Sequence, residues 1–334
     1  RFKTFEKLDF LTFAILASGV ALLCAVLSLG RIDWWLEAPW IGVASACSLV
    51  LIMTGLAIEH NRANPLLMTR WLGSGTMIRL ALAVILIRMV LSEQSTGAVG
   101  FMQMLNMSYQ QMHTLYVVML AGAVAGLVVS ALTINPAHLL MPLVISLALM
   151  ATGSVMDSFS SNLTRPQNLY ISQFLLGFGG TFFLGPTMVL GTKNVLTNPR
   201  NLVSFSVMFG ICQNLGGLIG AALLGTFQVV REKFHSSMIV EHLTLLDPRV
   251  AARVQSGGAA YGGIVADPDL RNLMGIRSLA TAATREANVM AYNDVFMLIA
   301  IVAILTMLWI FTRSLWLLST TKAATPVQPS GASS

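Results

Sequence analysis

The chain has 334 residues, of which 55% are hydrophobic and only 10% charged, and its mean hydropathy is +0.74. Soluble domains carry about a quarter charged residues, so this composition excludes an ordinary water-soluble enzyme and indicates an integral membrane protein. The formal charge of +6 does not indicate nucleic acid, because most Lys and Arg stand between apolar runs, where they orient the chain and meet lipid headgroups.

Apolar windows between consecutive charges predict eight crossings in chain order. Asp9 to Arg31 encloses the first, Glu37 to Glu59 the second, and about Leu72 to Ser92 the third, which contains Arg79 and Arg88. No Asp, Glu, Lys or Arg lies between Glu93 and Asp157, a length that fits two crossings joined at Asn135-Pro136-Ala137-His138, a turn signal. Arg165 to Lys193, Arg200 to Arg231 and Asp294 to Arg313 enclose the last three. Uninterrupted runs of this length exclude a β-barrel, whose strands alternate over about ten residues, and predict an all-α polytopic fold.

Eight crossings put both termini on one side. With that side cytoplasmic, it holds Arg1, Lys3, Lys7, Arg62, Arg70, Lys193, Arg200, Arg313 and Lys322, and the short outer loops hold only Arg31 and Arg165. Residues 231–291 then form a large outer loop, whose seven basic and six acidic residues nearly cancel. Residues 317–334, rich in Pro, Ser, Gly and Ala, predict a disordered cytoplasmic tail. The first residue is Arg1 and no leader precedes the first apolar run, so the chain reads as a piece of something longer. Cys24, Cys47 and Cys212 lie in apolar stretches and read as small buried hydrophobes, not as a disulfide frame or metal site.

Several residues stand out within the spans. Gly177, Gly180, Gly185 and Pro186 share one span, and Gly216 and Gly220 form a G-x-x-x-G pair in the next; both groups allow close helix packing, and Pro186 adds a bend. Gln213 and Asn214 place an amide pair inside an apolar run, where it needs protein or water partners. Arg88 is an intramembrane charge with an expected partner on another helix, whereas Arg79 and Glu93 lie near span ends and are expected to snorkel. Phe101, Gln103 and Met104 belong to a Met-rich aromatic stretch suited either to a pocket for varied apolar ligands or to core filling. In the outer segment, Phe234, Met238, His242 and Leu245 recur at helical spacing, as in a helix at the membrane interface or packed on the bundle. No nucleophile elbow, P-loop or H-E-x-x-H occurs, so chemistry on a substrate is not expected.

Ordered stretches across nearly the whole chain resemble the second half of a fourteen-helix drug:proton antiporter of the major facilitator superfamily, the EmrB/QacA type. They are Phe5-Glu6-Lys7-Leu8-Asp9, Trp34-Trp35, Glu59-x-x-Arg62-x-x-Asn64-Pro65-Leu66-Leu67, Met102-Gln103, Gly177-x-Gly179-Gly180 with Gly185-Pro186, Gln213-Asn214-Leu215-Gly216-Gly217-x-x-Gly220 and Ala287-Asn288-Val289-Met290-Ala291-Tyr292-Asn293-Asp294-Val295-Phe296. The resemblance implies that residues 1–70 are an extra helix pair with a cytoplasmic linker and that 71–316 are the C-terminal six-helix bundle. It implies that the N-terminal bundle is absent, and with it the family's G-x-x-x-D-R-x-G-R-R motif and membrane carboxylates.

The function so implied is secondary active, proton-driven efflux of hydrophobic or amphipathic compounds from a bacterial inner membrane by alternating access. A proton gradient takes the place of any bound cofactor or metal, and a periplasmic adaptor and outer-membrane channel become candidate partners. Phe101, Gln103, Met104, Gln213 and Asn214 are the expected substrate-binding residues, and Arg88, Glu93 and Asp294 the expected charge-relay or bundle-stabilising ones. The alternative readings are a non-transporting membrane fragment or scaffold and a transporter of one specific metabolite.

Overall fold

The structure, a computed structural model, describes residues 7–135, 139–193 and 200–323. The described residues are helical with no strand among them, and eight helices are long and apolar enough to cross a membrane. The protein is an all-α, multi-pass membrane protein.

Helices α1 (Lys7–Leu29) and α2 (Pro39–Asn61) form a hairpin packed through small residues. A β-carbon at Gly19 would stand 2.8 Å from Ile52 Cγ1, and one at Gly55 2.6 Å from Leu16 Cδ2, so only glycine permits the approach. Ser48 adds a hydroxyl bond of 2.7 Å to the Gly19 carbonyl. Arg62 closes one end, 2.7 Å from Asp9 and 2.9 Å from Glu59. Glu59 also accepts from the Leu66 and Leu67 amides at 2.6 and 3.1 Å, which gives the Glu59-to-Leu67 pattern a structural meaning: one buried carboxylate caps the turn that leaves α2.

After the single turn α3 (Thr69–Leu72), helix α4 (Gly75–Ser92) passes into a π-helical stretch, Glu93–Val99, and then α5 (Gly100–Met104), making one 30-residue rod. Then come α6 (His113–Thr133), α7 (Leu140–Asp157), a 3-10 turn at Pro166–Leu169, α8 (Tyr170–Phe182) and α9 (Leu184–Lys193). The last helices are α10 (Arg200–Glu241), α11 (Pro248–Ala259) and α12 (Pro268–Ala323). The α1–α2 hairpin is tied to α10 by bonds from Met68 N to Ser204 Oγ and from Trp35 Nε1 to Thr226 Oγ1, both 2.8 Å.

Helix α8 is the centre of the bundle. β-carbons at Gly177, Gly179 and Gly180 would stand 2.6 Å from the Met119 carbonyl of α6, 2.7 Å from the Ser146 carbonyl of α7 and 2.5 Å from Leu91 of α4. Three faces of one helix thus meet three neighbours closely, two of them at backbone atoms and the third at the Leu91 side chain. The G-x-x-x-G pair works the same way between α10 and α4: a β-carbon at Gly216 would lie 2.8 Å from Arg88 Cβ, and one at Gly220 2.9 Å from Met89 Cα. Around these contacts Ile87, Leu147, Met150, Leu176, Phe183 and Ile299 form the main buried cluster. Leu120, Val124, Leu127 and Val128 on α6 are exposed, as suits a face that meets lipid.

The helix breaks at Phe183, between α8 and α9. Pro186 has no N–H for the Phe182 carbonyl four residues back, and Ser130 Oγ of α6 donates to that carbonyl instead, at 2.9 Å. Gly185 lies against the same hydroxyl, so Gly185 and Pro186 mark a break that another helix has closed.

Three expectations change. The stretch 231–291 is mainly helix and not an open loop: α10 continues to Glu241, α11 packs back on α12, and α12 begins at Pro268. Phe234 and Met238 lie on this extension of α10 with their side chains exposed, and Leu245 follows its end. The tail remains helical to Ala323, since no proline interrupts it before Pro326; residues 324–334, Pro136–His138 of the predicted turn and Arg1–Glu6 fall outside the described residues. Cys212 is buried, but Cys47 is on an exposed apolar face of α2.

Replacing Ser130 with Ala leaves the Phe182 carbonyl without its donor inside the bundle, at a cost of about 1–2 kcal/mol. Thermal unfolding of the detergent-solubilised protein is expected to show a lower midpoint; an unchanged midpoint contradicts this account of the break.

Candidate functional site

The α8 glycines bring Gln173, one turn into that helix, to a place among the described helices where two acidic side chains converge. Gln173 Nε2 donates to Glu93 Oε1 and Oε2 at 3.1 and 3.0 Å and to Asp157 Oδ2 at 2.7 Å. Glu93 and Gln173 are 0% exposed and Asp157 1%. An amide nitrogen has two hydrogens, so one serves each carboxyl group. Gln173 Oε1 is buried without a partner, leaving an acceptor beside the two acids.

Each member arrives by a different backbone device. Glu93 opens the π-helical stretch, a wider turn of the kind that often marks functional positions. That turn carries Gly97 and Gly100 against α12, where β-carbons would lie 2.9 Å from Phe296 Cε1 and 2.9 Å from the Tyr292 hydroxyl. Asp157 is the last residue of α7, and its carbonyl accepts from Ser160 N at 3.1 Å. Asn293 of α12 donates to the Ser160 carbonyl at 2.8 Å and pins that turn. Gln94 Nε2 donates to the Gln173 carbonyl at 3.1 Å, a second tie between the π-stretch and α8.

The sequence-predicted residues divide. Glu93 does not snorkel: the π-turn aims it inward. Arg88 has its interhelix partner, donating from Nε to the Gln213 carbonyl of α10 at 3.1 Å, and among the described residues no carboxylate lies within ion-pair distance of it. Asp294 of α12 lies 2.6 Å from both Arg231 Nε and His235 Nε2 of α10, and Arg231 stacks 4.6 Å from the Phe234 ring.

Among the described residues, the expected substrate-binding residues have different surroundings. Phe101 is fully buried with Met102, Leu105, Met112 and Leu115, its ring 5.5 Å from Tyr292 and 6.0 Å from Phe296; the core-filling reading of this stretch applies to it. Gln103 is exposed and donates to Tyr109 Oη at 3.2 Å, and Met104 borders a cleft with Arg277 and Asn288. Gln213 and Asn214 lie on α10, where Asn214 Nδ2 donates to the Gly210 carbonyl at 2.8 Å and Gln213 Oε1 is buried without a partner. Among the described residues, no hydrogen bond or ring contact joins the Phe101 group to the α10 amides.

Asp157 and Gln173 were missed by sequence reasoning, because Asp157 read as the end of an uncharged stretch and Gln173 was not singled out. The available signal was the polar run Glu93-Gln94-Ser95-Thr96-Gly97 inside an apolar rod, which needs polar partners from other helices. Among the described residues, no group of three or more His, Cys, Asp and Glu is placed to hold a metal ion. The chain matches no protein-family model and no curated protein.

Substituting Gln173 by Leu removes both donors from the acids. Hydrogen bonds to charged groups contribute about 1.5–3 kcal/mol, so a clear drop in melting midpoint is expected. That drop should shrink in a Glu93→Gln/Asp157→Asn background, where neither group carries charge; equal drops in both backgrounds contradict the bridge.

Proposed function

We propose that this chain contributes its helical bundle to a secondary active transporter of a bacterial inner membrane, exporting hydrophobic or amphipathic compounds in exchange for protons. The observation that supports this reading is the Glu93–Gln173–Asp157 cluster. Acidic groups inside a membrane-spanning bundle are costly and by default mark ion or proton pathways. Two ionised carboxylates a few ångströms apart repel by on the order of 4 kcal/mol at an effective dielectric of 20. A proton taken up between them removes that repulsion.

The cluster joins α4, α7 and α8, so its charge state bears on the packing of three rods. Two of the rods have irregularities of the sort found in transporters, the π-stretch in the α4–α5 rod and the break at Phe183. The helical projection of α11 with the adjoining ends of α10 and α12 gives a periplasmic adaptor a surface, under the orientation set by Lys and Arg. The resemblance to drug:proton antiporters supplies the substrate class.

The test is proton movement in everted membrane vesicles from cells producing the protein. Adding a lipophilic substrate such as ethidium should dissipate an imposed pH gradient, and Glu93→Gln or Asp157→Asn should reduce that response at least tenfold with protein level and melting midpoint little changed. Full response in both variants removes the carboxylate pair from coupling. Absence of any response in the parent favours the scaffold reading.

A further inference from the structure

The strongest unassigned feature lies at the opposite end of the bundle from the carboxylates. The first turns of α4 and α7, the end of α9 and the Trp309–Arg313 turn of α12 enclose a cavity of about 290 Å³. Its floor is apolar: Met77, Leu143 and Ile310 are nearly fully buried, and Ala83 leaves space in the wall. Its rim carries Arg79 and Arg313, and no described carboxylate lines it. The Arg79 guanidinium is folded back over its own helix start, where Nη2 donates to Thr76 Oγ1 at 3.3 Å. Gly75 makes room for it, since a β-carbon there would be 3.3 Å from Nη1. Trp309 is half-buried beside the rim, a residue that favours the headgroup level of a membrane.

We infer that this cavity binds one anionic phospholipid, with its phosphate on Arg79 and Arg313 and an acyl chain on the Met77–Ala83–Leu143–Ile310 floor. The two halves of the site match the two halves of the ligand: two guanidinium groups on one rim for a phosphate, and an apolar slot for hydrocarbon. Exposed Ile78, Leu82, Met141, Leu308 and Phe311 on the same helices present apolar surface beside the slot, so a bilayer lipid reaches it without crossing water. Under the orientation that the Lys and Arg distribution sets, this end of the bundle meets the cytoplasmic leaflet, where anionic lipid and clustered basic residues come together. Basic pockets between membrane helices on that side are known lipid sites as a class. The proposal does not depend on transport activity.

The test is native mass spectrometry of the full chain titrated with palmitoyl-oleoyl phosphatidylglycerol, and separately with the phosphatidylcholine of the same chains. Each guanidinium near an anionic head contributes about fivefold in affinity, the pair about thirtyfold. The parent should therefore favour phosphatidylglycerol by roughly that factor, and Arg79→Gln/Arg313→Gln should bind both lipids equally. Ala83→Leu, which fills the slot and keeps both charges, should weaken phosphatidylglycerol at least tenfold; it also decides the matter if the arginine pair proves necessary for folding. Equal binding of the two lipids by the parent overturns the proposal, as does undiminished selectivity in the double variant. Displacement of the lipid by millimolar inorganic phosphate overturns the acyl-chain half and leaves a free-phosphate site.

Discussion

Everything in the centre of this molecule depends on one requirement: a polar side chain held among apolar helices must find its partner on another helix, because no water competes for it there. Gln173 meets that requirement by giving one amide hydrogen to Glu93 and the other to Asp157. The bond set fixes α8 relative to α4 and α7. Gly177 and Gly179 let the α6 and α7 backbones close on α8, and Gly180 makes room for the Leu91 side chain of α4. Glycine packing and the acid–amide bridge are thus two parts of a single arrangement, the first setting the distance and the second the rotation of α8.

The same rule organises the α12 stretch from Ala287 to Phe296, where each residue type has a separate recipient. Ala287 and Ala291 are fully buried and bring the helix close to its neighbours. Asn288 Oδ1 accepts from Gln228 at 2.8 Å, Asn293 donates to the Ser160 carbonyl, and Asp294 holds Arg231 and His235. Tyr292 and Phe296 close around Phe101. Since lipid is as apolar as leucine, burial alone drives little association between such helices. These directional contacts and close van der Waals fits therefore set which helix meets which.

The crossings were legible in the sequence because hydropathy measures what the bilayer selects, about twenty residues without charge. Partner choice between helices was legible only in part. Gly216 and Gly220 announced a close contact, and Arg88 an interhelix partner, because a missing side chain and an intramembrane charge are local signals. Glu93 was misjudged by its distance from the span end: the rod runs on through the polar π-stretch to Met104, so the residue that closes the apolar window stands well inside it. Phe101 shows the complementary failure, as an aromatic residue that lines a cavity and one that fills a core have the same pattern. The segment 231–291 looked like a loop because its charges lowered its hydropathy, although helical hydrogen bonding is unaffected by whether a helix has left the membrane.

The polar features of the described bundle segregate along its length, and that separation argues for different roles. The acids converge near the C-terminal end of α7, sealed from solvent and bridged by one amide. The Arg79–Arg313 rim stands near the N-terminal ends of α4 and α7, open and without an acid in its lining. Between the two lie the glycine contacts of α8 and the break at Phe183. Ser130, by carrying the carbonyl that Pro186 leaves free, keeps that break satisfied on the α6 side, and Thr187 N of α9 donates to the Phe183 carbonyl across it at 3.2 Å. The break at Phe183 thus stands between the segment that holds the acids through Gln173 and the segment that borders the basic rim.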